Sequence, residues 1–224
     1  VFKKNIIYHL LNFDLLEILT CLCLSEKVLI MKRLLLVLIL IVSFQSWVTA
    51  DDINDFEIEG ISLGDTLTSF YTKEKINTQI NTFTQYPKSE YFVRGQFYKN
   101  LNVFDALIIH VKKNDKKYKI YSVAGVLEYE NKKDIKKCYE KMKLINNDIK
   151  EMFPAIELRK NMKIKHRGDS TGKSTYSTYS YNFKSGDGIL IQCYNWSQDS
   201  GFTNHLRLSM SDTEFRKWIR EEAY

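Results

Sequence analysis

The most reactive-looking part of the chain is residues 164–175 (IKHRGDSTGKST). Its GDSTG stretch fits the G-x-S-x-G pattern, in which a serine on a sharp turn between a buried strand and a buried helix acts as a hydrolase nucleophile. The residues before Ser170 alternate like a half-exposed strand, and those after Ser174 alternate again, so no helix follows. We predict a polar turn. A secreted serine hydrolase using Ser170 is the alternative, with Asp187 or Asp199 and then His205 completing a triad.

Other ligand patterns in the sequence are incomplete. A phosphate-binding P-loop needs four residues between its two glycines, and here only three separate Gly168 from Gly172. His110, His166 and His205 are isolated in the sequence, with no second ligand at metal-site spacing. We therefore predict no metal site and no cofactor.

A strip of aromatic residues is the best candidate for binding. In the segment 189–196 (ILIQCYNW), Ile191 and Cys193 share one strand face, because side chains alternate along a strand. Tyr194 and Trp196 then point to the opposite face, with Gln192 beside them. We predict that these three residues bind a peptide, a sugar or a partner protein. The alternative is that a second helix covers this face.

Two cysteines fall at positions that predict a disulfide. Cys138 lies on the apolar stripe of a helix, whose members follow one another at spacings of three and four: Ile135, Cys138, Met142, Ile145, Ile149 and Met152. Cys193 shares its strand face with isoleucines. Both sulfurs should face the helix–sheet interface, so we predict a Cys138–Cys193 bridge. A pair of buried free thiols is the alternative.

The elements that carry these residues predict an α+β fold. Alternating segments rich in aromatic and β-branched residues predict an antiparallel sheet of about six strands. One long amphipathic helix over 132–153 should pack on it, with shorter N- and C-terminal helices. Ser211 and Glu214 form a possible capping box for the C-terminal helix, and Gly125 predicts a bulge or a close approach within its strand.

The N-terminal region predicts export. Residues 31–50 contain Lys32 and Arg33, the apolar run LLLVLILIV, and a small-residue ending at Ala50, which is the layout of a cleavable signal peptide. We expect residues 1–30 to be an over-extended N-terminus and residues 51–224 to form a single α+β domain. The expected location is periplasmic or secreted, with no stable membrane span after cleavage.

Charge and composition limit the partners. Residues 51–224 contain 28 Lys and Arg against 24 Asp and Glu, a mildly basic balance with mixed signs. A nucleic-acid binder usually carries a concentrated basic patch. We therefore predict no nucleic-acid partner.

Three stretches, DFEIEGISLGDTL, SGDGILIQCYNWS and EFRKWI, resemble uncharacterised exported proteins of AT-rich, small-genome bacteria. The segment IEGISLGDTL is also similar to the start of the small SmpA/BamE-type envelope proteins, although their lipid-bearing cysteine is missing here. These resemblances imply export and a common fold, without an activity. The expected function is a periplasmic binding or envelope-accessory module without catalysis. The alternatives are the hydrolase using Ser170 and a protein-interaction or inhibitor domain using the aromatic strand face.

Overall fold

A computed structural model describes residues 53–82, 86–98, 101–130 and 134–224 of the chain. Within them, three α-helices and seven strands form in chain order: α1 Lys73–Thr82, β1 Phe92–Phe97, β2 Ala106–Lys112, β3 Ile120–Tyr129, α2 Ile135–Met152, β4 Leu158–Lys165, β5 Thr175–Asn182, β6 Gly188–Asn195, β7 Asn204–Ser211 and α3 Thr213–Glu221. The α+β class is confirmed. The sheet has seven strands where about six were predicted.

All seven strands belong to one antiparallel sheet with the spatial order β1-β2-β3-β7-β6-β5-β4. Two runs of sequential strands, β1 to β3 and β4 to β7, meet where β3 pairs with β7. The helix α2 connects the two runs. This order leaves β1 and β4 as the edges, and β4 is exposed along nearly all its length. The polar sequence LRKNMKIK of β4 suits an edge strand, since charged residues there discourage pairing with other chains.

Apolar residues bury one face of the sheet, called the inner face here, beneath α1 and α2. The stripe predicted on α2 is buried at Cys138, Met142 and Ile149. It packs against strand residues such as Ile191 and Leu206, which point to the same face. The predicted helical spacing therefore identified the core-facing side of α2 correctly.

The disulfide lies within this interface. Cys138 in α2 is bonded to Cys193 in β6, and both side chains are fully buried. One further polar link crosses the same interface, because the hydroxyl of Tyr181 donates to the side-chain oxygen of Asn146 at 2.9 Å. The helix is thus tied to the sheet by a covalent bond and by a buried hydrogen bond.

The C-terminal helix α3 packs on the opposite face, called the outer face. Phe215 and Trp218 of α3 contact Phe92 and Tyr121 from β1 and β3, and these residues form a second, smaller core. The predicted Ser211 capping box is wrong. Asp212 is the N-cap, and its carboxylate accepts from the backbone N–H of Phe215 at 2.8 Å.

The N-cap of α3 lies at Asp212, one residue after the predicted Ser211, because of the sheet. Ser211 is still paired in the sheet, opposite Ser122 on one side and Gly188 on the other. The first residue free of the sheet is therefore Asp212, whose short carboxylate is a favourable cap.

Gly125 marks a close approach, as predicted. A Cβ atom at this position would lie 2.5 Å from the ring of Phe104. The irregularity between β2 and β3 occurs elsewhere, between His110 and Val111. The extra residue in β3 shifts the alternation of its side chains at this point. As a result, Ile120 lies in the inner core and Tyr121 in the outer one.

No helix within the described ranges is long and apolar enough to cross a membrane. The predicted N-terminal extension (1–30) and signal peptide (31–50) lie outside the described residues. The described residues belong to one compact unit.

Candidate functional site

The three predicted binding residues lie together on the outer face. The hydroxyl of Tyr194 donates to the side-chain oxygen of Gln192 at 3.1 Å, and the amide of Gln192 reaches the hydroxyl of Thr178 at 3.3 Å. The ring of Trp196 lies 6.0 Å from that of Tyr194, with 10° between their planes. The hydrogen bonds fix the orientation of Tyr194 relative to its strand.

Neighbouring strands add two more rings to this group. Tyr176 on β5 and His205 on β7 are the direct cross-strand partners of Tyr194. Their ring centres lie 5.9 and 4.5 Å from that of Tyr194, and both rings are close to parallel with it. Such cross-strand contacts are the basic unit of side-chain stabilisation in a sheet.

Two further rings come from the loops at the same end of the sheet. Phe202, in the β6–β7 loop, lies 4.6 Å from Trp196, and His166, just after β4, lies 4.4 Å from the same ring. We call the whole group the aromatic cluster: His166, Tyr176, Tyr194, Trp196, Phe202 and His205.

The predicted alternative was a helix that covers this face. A helix does cover the outer face, but at a different part of the sheet. The helix α3 covers the outer face at β1 to β3, where Phe215 packs against His110 and Phe92. The aromatic cluster lies on β5 to β7, beyond that contact. Phe202 is 59% exposed, while Tyr194 and Trp196 are partly buried. The cluster therefore has a partly buried base and an exposed outer end.

Burial favours the neutral forms of two members of the cluster, Tyr194 and His205. Burial raises the pKa of the Tyr194 hydroxyl, and the positive charge of Arg207 opposes that rise. Burial lowers the pKa of His205; a hydrogen bond to the carbonyl of Thr203 opposes this shift, and the charges of Arg207 and His166 add to it. Arg207, one row from Tyr194 in the sheet, has a buried Nε atom without a hydrogen-bond partner.

The segment around Ser170 forms a hydrogen-bonded turn. The carboxylate of Asp169 accepts from the backbone N–H groups of Thr171 and Ser174 at 2.9 and 2.8 Å. Hydrogen bonds from Ser174 and Thr171 lower the pKa of this carboxyl group. Gly172 completes the turn in the left-handed region, with φ of 67°.

The polar groups closest to Ser170 in the chain already take part in the hydrogen bonds of this turn. The Nδ1 atom of His166 accepts from the backbone N–H of Gly168 at 3.1 Å. No hydrogen bond in the described part of the chain joins Ser170 to a histidine or a carboxylate. The arrangement is typical of an Asx turn, in which a short acidic side chain replaces a backbone acceptor.

His110 is the most buried histidine in the described part of the chain, and its ring packs in the outer core. Its Nε2 atom lies 2.8 Å from the hydroxyl of Tyr86, and its ring packs against Phe215. Burial, with the positive charges of Arg207 and Arg94, lowers its pKa well below the ordinary value. Across the described ranges, no group of three or more His, Cys, Asp and Glu side chains could hold a metal ion.

The sequence analysis did not identify three members of the cluster: His166, Phe202 and His205. Phe202 lies in a polar loop and has no periodic partner. His166 continues the alternation of β4 from Ile164, and His205 begins the last strand, so both could have been placed on the outer face. Their meeting with Trp196 depends on the register in which the consecutive strands β4 to β7 pair, which the sequence pattern does not give.

No protein-family model, curated protein or solved structure matches this chain. The resemblances to exported proteins and to SmpA/BamE-type proteins therefore stay predictions. Any function must be argued from the geometry of the cluster and the loops beside it.

Proposed function

We propose that the protein is an exported binding module of the cell envelope, without catalysis, and that it contacts its partner through the aromatic cluster. The observation that carries this proposal is the exposed end of the cluster, at Phe202, on a base of rings held by three paired strands. Aromatic side chains offer a large contact area at little entropic cost, because few torsions must be fixed.

Export is supported by two independent features. Residues 31–50 have the layout of a signal peptide, and Cys138 and Cys193 form a buried disulfide. Stable disulfides are rare in reducing compartments and common in secreted and periplasmic proteins.

The chemistry of the cluster favours binding over catalysis. Its histidines and tyrosines pack against each other, and the nearby carboxylate of Asp169 is engaged in its own turn. A general base must instead be free to reach a substrate proton. Residues of the types found here, Trp, Tyr and Arg, are enriched where binding energy concentrates in interfaces.

The same composition supports a second candidate, a protein-interaction or inhibitor domain. Trp196, Tyr194 and Arg207 would then be the central contacts of a protein interface. The two candidates share one surface and differ in the nature of the partner.

A capture experiment tests the proposal. The immobilised full chain is incubated with solubilised cell envelope, and the retained protein, glycan and lipid are each analysed. We expect wild type to retain a specific component, and Phe202→Ala with Trp196→Ala to lose it. Phe70→Ala, which changes an exposed phenylalanine that does not belong to the cluster, is the matched control. Equal retention by all variants would refute the proposal.

A further inference from the structure

Two loops beside the aromatic cluster are bonded into one unit, called the paired loops: residues 166–174 and 196–203. The backbone N–H of Ser197 donates to the hydroxyl of Ser174 at 2.9 Å, and the ammonium of Lys173 lies 3.1 Å from the carboxylate of Asp199. The hydroxyl of Ser197 also reaches Asp169 at 3.4 Å. These bonds fix the two loops relative to each other.

Exposed apolar side chains lie on and beside the paired loops. Phe202 is 59% exposed, Met162 45% and Ile164 36%. Ile164 is opposite Tyr176 in the sheet, so it extends the aromatic cluster to the edge strand. Exposed apolar residues that are grouped, rather than scattered, mark an interaction surface.

Positive charge is concentrated at the same place. Residues 158–175 contain six Lys and Arg and one acidic residue. Two of the six, Arg159 and Lys173, pair with Glu157 and Asp199, which leaves four cations there without an ion pair among the described residues. The acidic residue, Asp169, is satisfied by its own turn. Lys165 and Arg167 are exposed and form no ion pair within the described residues. Cations and apolar side chains therefore alternate along this edge.

Protection of the edge strand explains only part of this pattern. Lysines on β4 would discourage strand pairing, but Arg167 and Phe202 belong to loops and have no such role. Addition of a peptide strand to β4 is disfavoured, because the pairing is irregular between Asn161 and Ile164 and Lys163 has φ of 54°. A flat anionic surface can instead contact cations and apolar side chains together.

We infer that the paired loops and β4 bind the surface of a phospholipid bilayer containing anionic lipids. Phe202 and Ile164 enter the headgroup region, while Lys165 and Arg167 meet the lipid phosphates. Interfacial binding of this kind combines buried apolar area with attraction to anionic lipid. The inference rests on the proposed function, since it names the partner of the same surface.

Vesicle binding tests the charge component. The full chain is mixed with vesicles of phosphatidylcholine, with and without phosphatidylglycerol, and bound protein is measured by sedimentation. We expect phosphatidylglycerol to strengthen binding and added salt to weaken it. Lys165→Gln with Arg167→Gln should reduce affinity about 30-fold, because each cation near an anionic surface contributes about a fivefold factor.

The matched control is Lys136→Gln with Lys143→Gln, which makes the same charge change on exposed positions of α2. All variants keep residues 1–50, so any contribution of the apolar run in that segment is equal in each. If both double variants lose affinity equally, the binding follows net charge and the inference is wrong.

The apolar component has its own variant. Phe202→Ser should weaken vesicle binding about tenfold, as expected for losing part of a buried aromatic contact, and Phe70→Ser should not. Soluble glycerol phosphate at equal phosphate concentration should compete poorly. Strong competition would show a free-phosphate site and overturn the inference. If wild type does not bind vesicles but still retains an envelope component, only the lipid inference is wrong. If wild type retains no envelope component either, the proposed function is wrong as well.

Discussion

The imidazole of His205 lies against the phenol ring of Tyr194, with ring centres 4.5 Å apart and 22° between the planes. The two residues are direct partners in β6 and β7. A charged imidazolium would have to lose its hydration in this position. The contact therefore links the protonation of one ring to the integrity of the aromatic cluster.

The first prediction concerns the pH dependence of stability. Burial lowers the pKa of His205 in the folded protein below its ordinary value of 6.5. The unfolded chain then binds more protons below that pH, so stability is fully present above about 6.5 and falls as pH decreases toward the folded pKa. His205→Phe, measured by denaturant unfolding between pH 7.5 and 5, should show a shallower loss than wild type.

His205→Phe should still lose some stability as pH falls, because burial also lowers the pKa of His110. Above pH 7.5 the two proteins should show parallel pH profiles. An unchanged slope in His205→Phe would mean that this histidine does not titrate differently on folding.

The second prediction concerns the disulfide. Cys138 and Cys193 are separated by 55 residues. Closing a loop of that length stabilises the folded state by about 4 kcal/mol through its effect on the unfolded chain. Reduced wild type should therefore unfold at much lower denaturant than oxidised wild type. Reduction leaves both sulfur atoms in place, so packing is nearly unchanged in the comparison.

Cys138→Ala with Cys193→Ala should resemble the reduced protein and should no longer respond to reductant. Free thiols at Cys138 and Cys193 in the native protein, or identical unfolding midpoints before and after reduction, would contradict the disulfide.

The third prediction concerns Glu59, which the sequence did not single out. Its carboxylate accepts from the backbone N–H groups of Asn102, Val103 and Phe104, at 2.8, 2.6 and 3.0 Å. Partial burial opposes ionisation, but these bonds outweigh it and lower the pKa of Glu59. Glu59→Gln should lose about 1–2 kcal/mol of stability at pH 7, as expected for bonds to a charged acceptor.

A group with a lowered folded pKa contributes stability above its unfolded pKa and loses it as pH falls through the folded one. The difference between wild type and Glu59→Gln should therefore shrink below pH 4.5. Glu57→Gln, at an exposed neighbouring carboxylate, should have little effect at either pH. A difference that persists at low pH would mean that charge is not the cause.

The fourth prediction addresses the hydrolase alternative. Ser170 is exposed on a turn whose acceptors are engaged by backbone groups. A fluorophosphonate probe should label wild type and Ser170→Ala equally weakly. Labelling that disappears in Ser170→Ala would establish an activated serine and reverse the proposal of a non-catalytic module.

The sequence predicted the fold where local periodicity carries the information. The spacing of Cys138, Met142 and Ile149 identified the buried stripe of α2, and alternation placed Cys193 facing it. These two local patterns were enough to predict the disulfide, because each one fixes the direction of a cysteine side chain relative to its own helix or strand.

The remaining features depend on contacts between distant segments. Ser197 bonds to the turn at Asp169, and Glu59 holds the loop from Asn102 to Phe104, across separations that no local pattern encodes. Phe202 contacts Trp196 at the other end of the same loop, whose conformation no periodic pattern predicts. The other rings of the cluster meet only when β4 to β7 are paired.

The central claim, that the aromatic cluster is a contact surface, is tested most directly by photo-crosslinking. A photoreactive phenylalanine is placed at position 202 and, as a control, at position 70, and each protein is irradiated with intact envelope fractions. We expect an adduct from position 202 that is absent from position 70. No adduct from position 202, or equal adducts from both, would contradict it.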